Sequence, residues 1–232
     1  MTFLVDLLDQ MRRHYPELLR GYETTIVLTC VVILLALLVG VVAALLRTSD
    51  FRPLRTFSSA YVEFFRNTPL LVQLYFLFFA LPKLPQFELP WYGRITWLLS
   101  PMQAAVIGLT LYTGSYTAEA LRSGLLSIDR GQTEAARALG LNYMQTRLYV
   151  VVPQAVRVAV PLLTSILSAL FRNTALVSTI GVVELLNAAD RIQQQNFRTF
   201  ELFTLAGILY LSLTLPLAYA SGRLEHWVAR AR

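Results

Sequence analysis

Residues 24–46, TTIVLTCVVILLALLVGVVAALL, carry no charged side chain. As a helix this run is roughly 35 Å long, and the hydrocarbon core of a bilayer is about 30 Å thick. A bilayer span is the natural home for it. Residues 95–118 and 202–222 are two further uncharged runs. Two more runs are interrupted: 57–80 holds Glu63 and Arg66, and 158–182 holds only Arg172. No loop signal divides either one, and Pro69 and Pro161 are compatible with membrane helices. The expectation is an all-α integral membrane protein with five transmembrane helices, about 24–46, 57–80, 95–118, 158–182 and 202–222. An N-terminal segment, 1–21, precedes them, and a tail, 224–232, follows. The first run is too long for a signal-peptide core, and Asp6, Asp9, Glu17 and Glu23 precede it, so it reads as a retained helix.

Composition agrees. The chain is 56% hydrophobic with a mean hydropathy of +0.54, above the roughly 45–50% of soluble domains. The net charge of +6 comes from scattered arginines, with Lys83 the only lysine. That pattern fits the flanks of membrane helices better than a nucleic-acid surface. Cys30 is the only cysteine, and His14 and His226 lie far apart. No intramolecular disulfide and no metal site are expected. No metalloprotease-like motif is present, which argues against a membrane enzyme.

With five spans, the connections on one side hold eleven basic residues and those on the other hold seven. The positive-inside rule then places the N-terminus outside and the C-terminus in the cytoplasm. The stretch 81–94 becomes an outer loop, with Pro82, Pro85 and Pro90 opposing regular helix. Trp91, Tyr92 and Trp97 suit a membrane interface.

Between the third and fourth spans, residues 123–157 form a cytoplasmic loop. Gln132–Leu139 is rich in helix formers, and Gly140 is a natural stop. A second helical stretch is expected from Asn142 to Val152, ending at Pro153. Glu134, Ala135 and Ala136, then Gly140, then Val150 and Val152-Pro153, resemble the Glu-Ala-Ala loop of bacterial ABC-importer permeases. YTAEALRSGLLSIDRGQTEAARALGL, VVPQAVRVAVPLL and FRNTPLLVQLYF extend the resemblance to the polar amino acid branch, the histidine, glutamine and glutamate permeases. It covers nearly everything from Gly21 to Arg223. At 172–176 this chain reads RNTAL where that branch has Lys-Asp-Thr-Ser-Leu.

The resemblance implies the type I ABC-importer permease fold, with residues 22–223 as its transmembrane domain. It also implies a short coupling helix that docks on a cytoplasmic ATPase. Glu134, Ala135, Ala136, Gly140 and Pro153 are its coupling residues. The implied partners are an ATPase dimer, a second permease subunit (a copy or a sister chain) and an extracytoplasmic amino-acid-binding protein. The cargo would be a polar amino acid or an opine-like derivative. The sequence has no P-loop, since Lys83 is followed by Leu84, so ATP would be used by another chain. No cofactor is expected here. An ion-coupled secondary transporter is the alternative, but five spans and one short echo are poor support for it.

That echo is Phe-Arg-Asn-Thr, at 65–68 and again at 171–174. A charge at membrane depth costs at least about 2.5–3.5 kcal/mol. Glu63 is the expected partner of Arg66, and Arg122 of Glu119, each at a spacing of three. Arg172 has no acid within four residues. Its counter-ion would be Glu63, Glu119 or a bound anion. Arg172, Asn173, Thr174 and Ser178 are candidates for the substrate path, with Arg172 to Thr174 meeting a carboxylate and Glu184 or Glu63 an ammonium. Gln73 and Tyr112 are further polar candidates.

Overall fold

The computed structural model describes residues 2–84, 87–89, 93–95 and 98–230. Pro85, Pro90, Trp91, Tyr92 and Trp97 lie outside them. The described residues are helical apart from turns and one short ribbon, in which Phe87–Leu89 (β1) pairs antiparallel with Gly93–Ile95 (β2), Glu88 opposite Arg94. The first helix, α1, runs from Thr2 to Arg47 and takes in the segment preceding the apolar run. Pro16 has no N–H, and its ring crowds the carbonyl of Arg12. The helix yields two residues earlier, at His14 (φ −109°, ψ 15°).

The second run is not one helix. Helix α2 spans Arg52–Asn67, and α3, Leu70–Tyr75, continues through a π turn (Phe76–Ala80) into a 3-10 turn (Leu81–Lys83). The two parts meet at 106°. Pro69 bars the residue before it from helical geometry, and Thr68 is extended at φ −111°, ψ 142°. The proline compatible with a span is therefore the point at which this one breaks.

Helix α4, Pro101–Leu126, begins later than the uncharged run. Ser100 caps it. Its hydroxyl accepts from the Gln103 N–H at 3.3 Å, and the Gln103 side chain accepts from the Ser100 N–H at 2.9 Å. Among the described residues, Val5–Arg47, Tyr143–Ile180 and Thr199–Leu224 are long and apolar enough to cross a membrane, and the bent pair makes a fourth. Helix α4 is not among them. Its buried positions are alanine, glycine, serine and threonine, except Leu109. Small residues let neighbouring helices close in on it. A Cβ at Gly124 would stand 2.6 Å from the carbonyl oxygen of Ala155. Helix α4 packs against α1, α2 and α7 (Val152–Asn173) and forms the middle of the bundle.

The loop holds α5, Arg130–Ala138, capped by Asp129, whose carboxylate accepts from the Gly131 N–H at 2.6 Å. Gly140, at φ +87°, ends it as expected. The next helical stretch does not stop at Pro153. Helix α6 (Tyr143–Gln145) leads through a π turn, Thr146–Val151, directly into α7. The wider turn shifts the hydrogen-bond ladder just where the proline lacks a donor. After Asn173 the chain tightens to 3-10 over Thr174–Ile180 and turns at Gly181 (φ +91°). Helix α8, Leu185–Asn196, and helix α9, Thr199–Arg230, complete the chain.

Two cores result. Leu28, Val32, Leu74, Leu109, Leu170 and Val177 are buried where α1, α3, α4 and α7 meet. Leu7, Leu18, Leu185, Ile192, Leu202 and Leu205 join the start of α1 to α8 and α9. The second lies at the end of α7 far from α5.

Candidate functional site

Both copies of Phe-Arg-Asn-Thr end an α-helix, but the backbone turns extended at Thr68 and only tightens to a 3-10 helix from Thr174. Helix α2 ends at Asn67, helix α7 ends at Asn173, and each threonine begins a different geometry. Each threonine hydroxyl donates back to a carbonyl of the helix just ended, Thr68 to Phe64 at 2.8 Å and Thr174 to Phe171 at 2.7 Å. The arginine stands two residues before each break.

At the first copy, the broken backbone is closed by Gln73. Its amide nitrogen donates to the carbonyls of Phe65 and Thr68 (both 3.1 Å) and to the Thr68 hydroxyl (2.7 Å). Gln73 is buried, so it staples the α2–α3 corner. Its carbonyl oxygen is buried without a partner. Arg66 does not pair with Glu63, which is exposed. It lies over the ring of Tyr116 at 5.4 Å and reaches Glu119 at 3.5 Å. Glu119 also binds Arg47 at 2.5 Å and, as expected, Arg122 at 2.8 Å. The sequence spacing that suggested Glu63 is overridden by a carboxylate on α4 that serves α1, α2 and α4 together. Tyr112 donates to the Tyr116 hydroxyl at 3.3 Å, with ring centres 5.0 Å apart.

These residues edge a cleft of about 370 Å³ between α2, α4 and α7. Arg66, Tyr116, Glu119 and Ser123 form one wall, and Leu162, Ser165, Ile166 and Ala169 the other. A second cleft of about 310 Å³ lies between α7 and α9, lined by Ser165, Ser168, Arg172 and Ser221. Arg172 is exposed there and donates to the Ser168 hydroxyl at 3.1 Å. Neither Glu63 nor Glu119 pairs with it among the described residues. Ser165 borders both clefts, so the two repeated arginines serve adjoining openings.

The remaining candidates lie elsewhere. Asn173 is half-buried, and Ser178 spends its hydroxyl on the Ala175 carbonyl at 2.7 Å. Thr174 is fully buried. Glu184 is fully buried too, and it caps α8 instead of facing an opening. Its carboxylate accepts from the N–H groups of Leu186 (3.0 Å) and Asn187 (2.9 Å) and from the Tyr210 hydroxyl. Thr25 accepts from the Leu185 N–H at 3.2 Å. Helix α8 is not among the elements expected from the sequence, although Leu185, Ala188, Ala189 and Ile192 repeat at helical spacing and are the signal that could have shown it. Nothing in the sequence singled out Tyr210, Thr25 or Arg47 as partners.

On the loop, Ala136 is buried while Glu134, Ala135 and Gly140 face outward. Leu139 is 82% exposed, and Tyr143, Met144, Leu148 and Tyr149 are also exposed. Arg137 and Arg147 flank the Tyr143 ring at 5.8 and 4.8 Å. Glu134 makes no cap, because Asp129 fills that role. Pro153 is exposed at the second position of α7.

A helical bundle with apolar spans, polar clefts and an exposed connecting helix suits a membrane transport subunit. Residues 36–230 match the family of binding-protein-dependent transport system inner membrane components, and the chain belongs to that family. It is therefore a transport permease of the inner membrane. It is 37% identical over 217 residues to the glutamate transport system permease protein GluC of Corynebacterium glutamicum, covering 92% of this chain and 95% of that one. It is 31% identical over 205 residues to the probable glutamine ABC transporter permease protein GlnM of Bacillus subtilis, covering 88% and 90%. The crystal structure of an amino acid ABC transporter with histidines superposes with a TM-score of 0.84 at 30% identity, covering 94% of this chain and 96% of that one.

The ion cluster predicts an asymmetry. Glu119→Ala leaves Arg47, Arg66 and Arg122 converging without a counter-charge and should cost about 3 kcal/mol. Arg66→Ala leaves Glu119 with two arginines and should cost under about 1 kcal/mol. Thermal unfolding of the detergent-solubilised chain reads both. Equal losses would contradict the arrangement.

Proposed function

We propose that this chain is the membrane-spanning subunit of an ATP-driven importer for polar amino acids or opine-like derivatives. The observation that carries this is the likeness to amino acid permeases along almost the whole of both chains. A binding protein delivers the cargo, two such subunits enclose the path, and a pair of cytoplasmic ATPases docks on α5. Glu134, Ala135 and Gly140 meet the ATPase, Ala136 seats α5 on its own subunit, and ATP is used by the ATPase. The outward-facing apolar and charged surface of α5 and α6 supports this role. Arg172 and its serine-lined cleft, with Arg66 and Tyr116 next to it, attract the carboxylate of the cargo. In the complex reconstituted with its ATPase and binding protein, uptake of labelled glutamine or glutamate should need ATP and stop when the ATPase is omitted. Arg172→Ala should abolish uptake while assembly persists. Glu134→Lys should release the ATPase and leave the permease in the membrane. Uptake by Arg172→Ala at the wild-type rate would remove Arg172 from the path. Co-purification of the ATPase with Glu134→Lys at the wild-type level would remove α5 from the contact.

The excess of basic residues on the connections around α5 supports an outside N-terminus and a cytoplasmic C-terminus. In a Cys30→Ser background, Glu88→Cys should react with a membrane-impermeant maleimide on intact cells, and Ala138→Cys only after permeabilisation. The reverse pattern would overturn this orientation.

A further inference from the structure

A further cleft belongs to neither arginine. It measures about 580 Å³ and runs between α1 and the start of α4. Its floor and sides are Val27 and Val31 from α1 and Met102 and Val106 from α4, all apolar. Its rim is Arg20 and Glu23. These two charges are one helical turn apart, with Cβ atoms about 5–6 Å from each other. Both are exposed, and neither has an ion-pair partner among the described residues. The rim stands where the uncharged run of α1 begins, which is the depth of lipid headgroups. Val31 lies eight residues further in, about 12 Å down the helix axis and inside the hydrocarbon layer.

An apolar groove opening to lipid, with one cation and one anion side by side at headgroup level, describes a specific amphiphile. We propose that this groove binds a zwitterionic phospholipid with a primary ammonium, of the phosphatidylethanolamine type. Arg20 pairs with the phosphate, whose geometry suits a guanidinium fork. Glu23 accepts hydrogen bonds from the ammonium. One acyl chain lies along Val27, Val31, Met102 and Val106. A trimethylated headgroup has no N–H to give Glu23, and an anionic headgroup leaves Glu23 unanswered, so both bind less well. A water-soluble ligand gains little from the apolar lining, whose Val27, Val31 and Met102 are exposed. The proposal rests on the chain spanning a membrane and is independent of the proposed cargo and coupling.

The test uses the permease with the partners that co-purify with it. It is placed in nanodiscs of equal phosphatidylethanolamine, phosphatidylcholine and phosphatidylglycerol, with matched acyl chains, then extracted in mild detergent. Native mass spectrometry counts the lipids retained. The wild type should keep one phosphatidylethanolamine per permease chain. Val31→Trp, which fills the groove, should keep none. Arg20→Gln should lower retention of the phospholipid about tenfold. Glu23→Gln should keep a phospholipid but lose the preference for phosphatidylethanolamine over phosphatidylcholine. Arg20 and Glu23 are exposed, so these two variants read the site without disturbing the core. Equal retention by Val31→Trp, no headgroup preference in the wild type, or preference for phosphatidylglycerol would each overturn the proposal. So would an interchain disulfide formed by Val27→Cys in the Cys30→Ser background, because a second copy would then occupy the groove.

Discussion

Inside a bilayer no water satisfies the backbone, so wherever a helix stops, some group of the protein must take over its hydrogen bonds. This chain stops twice within its apolar runs. At Thr68–Pro69 the exposed carbonyls of Phe65 and Thr68 are taken up by the amide of Gln73. Beyond Gly181 the new N–H groups of α8 are taken up by Glu184 and Thr25. Both staples are buried. They allow α2 and α3 to meet at a right-angled corner and α7 to give way to α8. Phe-Arg-Asn-Thr ends α2 at the first stop and ends α7 ahead of the 3-10 stretch that leads to the second, so each arginine stands near the end of its α-helix.

The same constraint explains how the loop reaches the clefts. Helix α5 hangs between α4 and α7, and these two helices supply the facing walls of the Arg66 cleft. Gly124, one turn from the end of α4, meets the Ala155 carbonyl near the start of α7. The two helices are thus pinned close to the loop and open around Glu119 and Ser165, further in. Helix α5 is thus joined along the chain to both walls. Glu119 ties the same region to α1 and α2 through Arg47 and Arg66.

Much of this was legible in the sequence. The apolar runs gave an all-helical membrane protein, Gly140 gave the end of α5, and the glutamate–alanine loop gave the family. The failures share a cause. Pro69 was accepted as tolerable in a span, as Pro161 is within α7, yet at Pro69 the preceding Thr68 is extended and the helix breaks. Pro153 was taken for a stop, yet a π turn absorbs it. Spacing along one helix paired Arg66 with Glu63, whereas the real partner is 53 residues away on α4. Glu184 and Gln73 looked like path residues because they are polar and deep. Only the fold shows that backbone groups consume them. Long-range partners such as Tyr210 for Glu184 leave no periodic trace in a single sequence.

The two Phe-Arg-Asn-Thr copies put their arginines on adjoining clefts, which we propose as the path of the cargo. Ser165 borders both. In a Cys30→Ser background, Ser165→Cys should react with a charged, water-soluble methanethiosulfonate reagent, and saturating cargo should slow that reaction. Val42→Cys, on the exposed apolar face of α1, should stay unreactive under the same conditions. A Ser165→Cys that is as inert as Val42→Cys, or that reacts at a rate indifferent to cargo, would contradict the account.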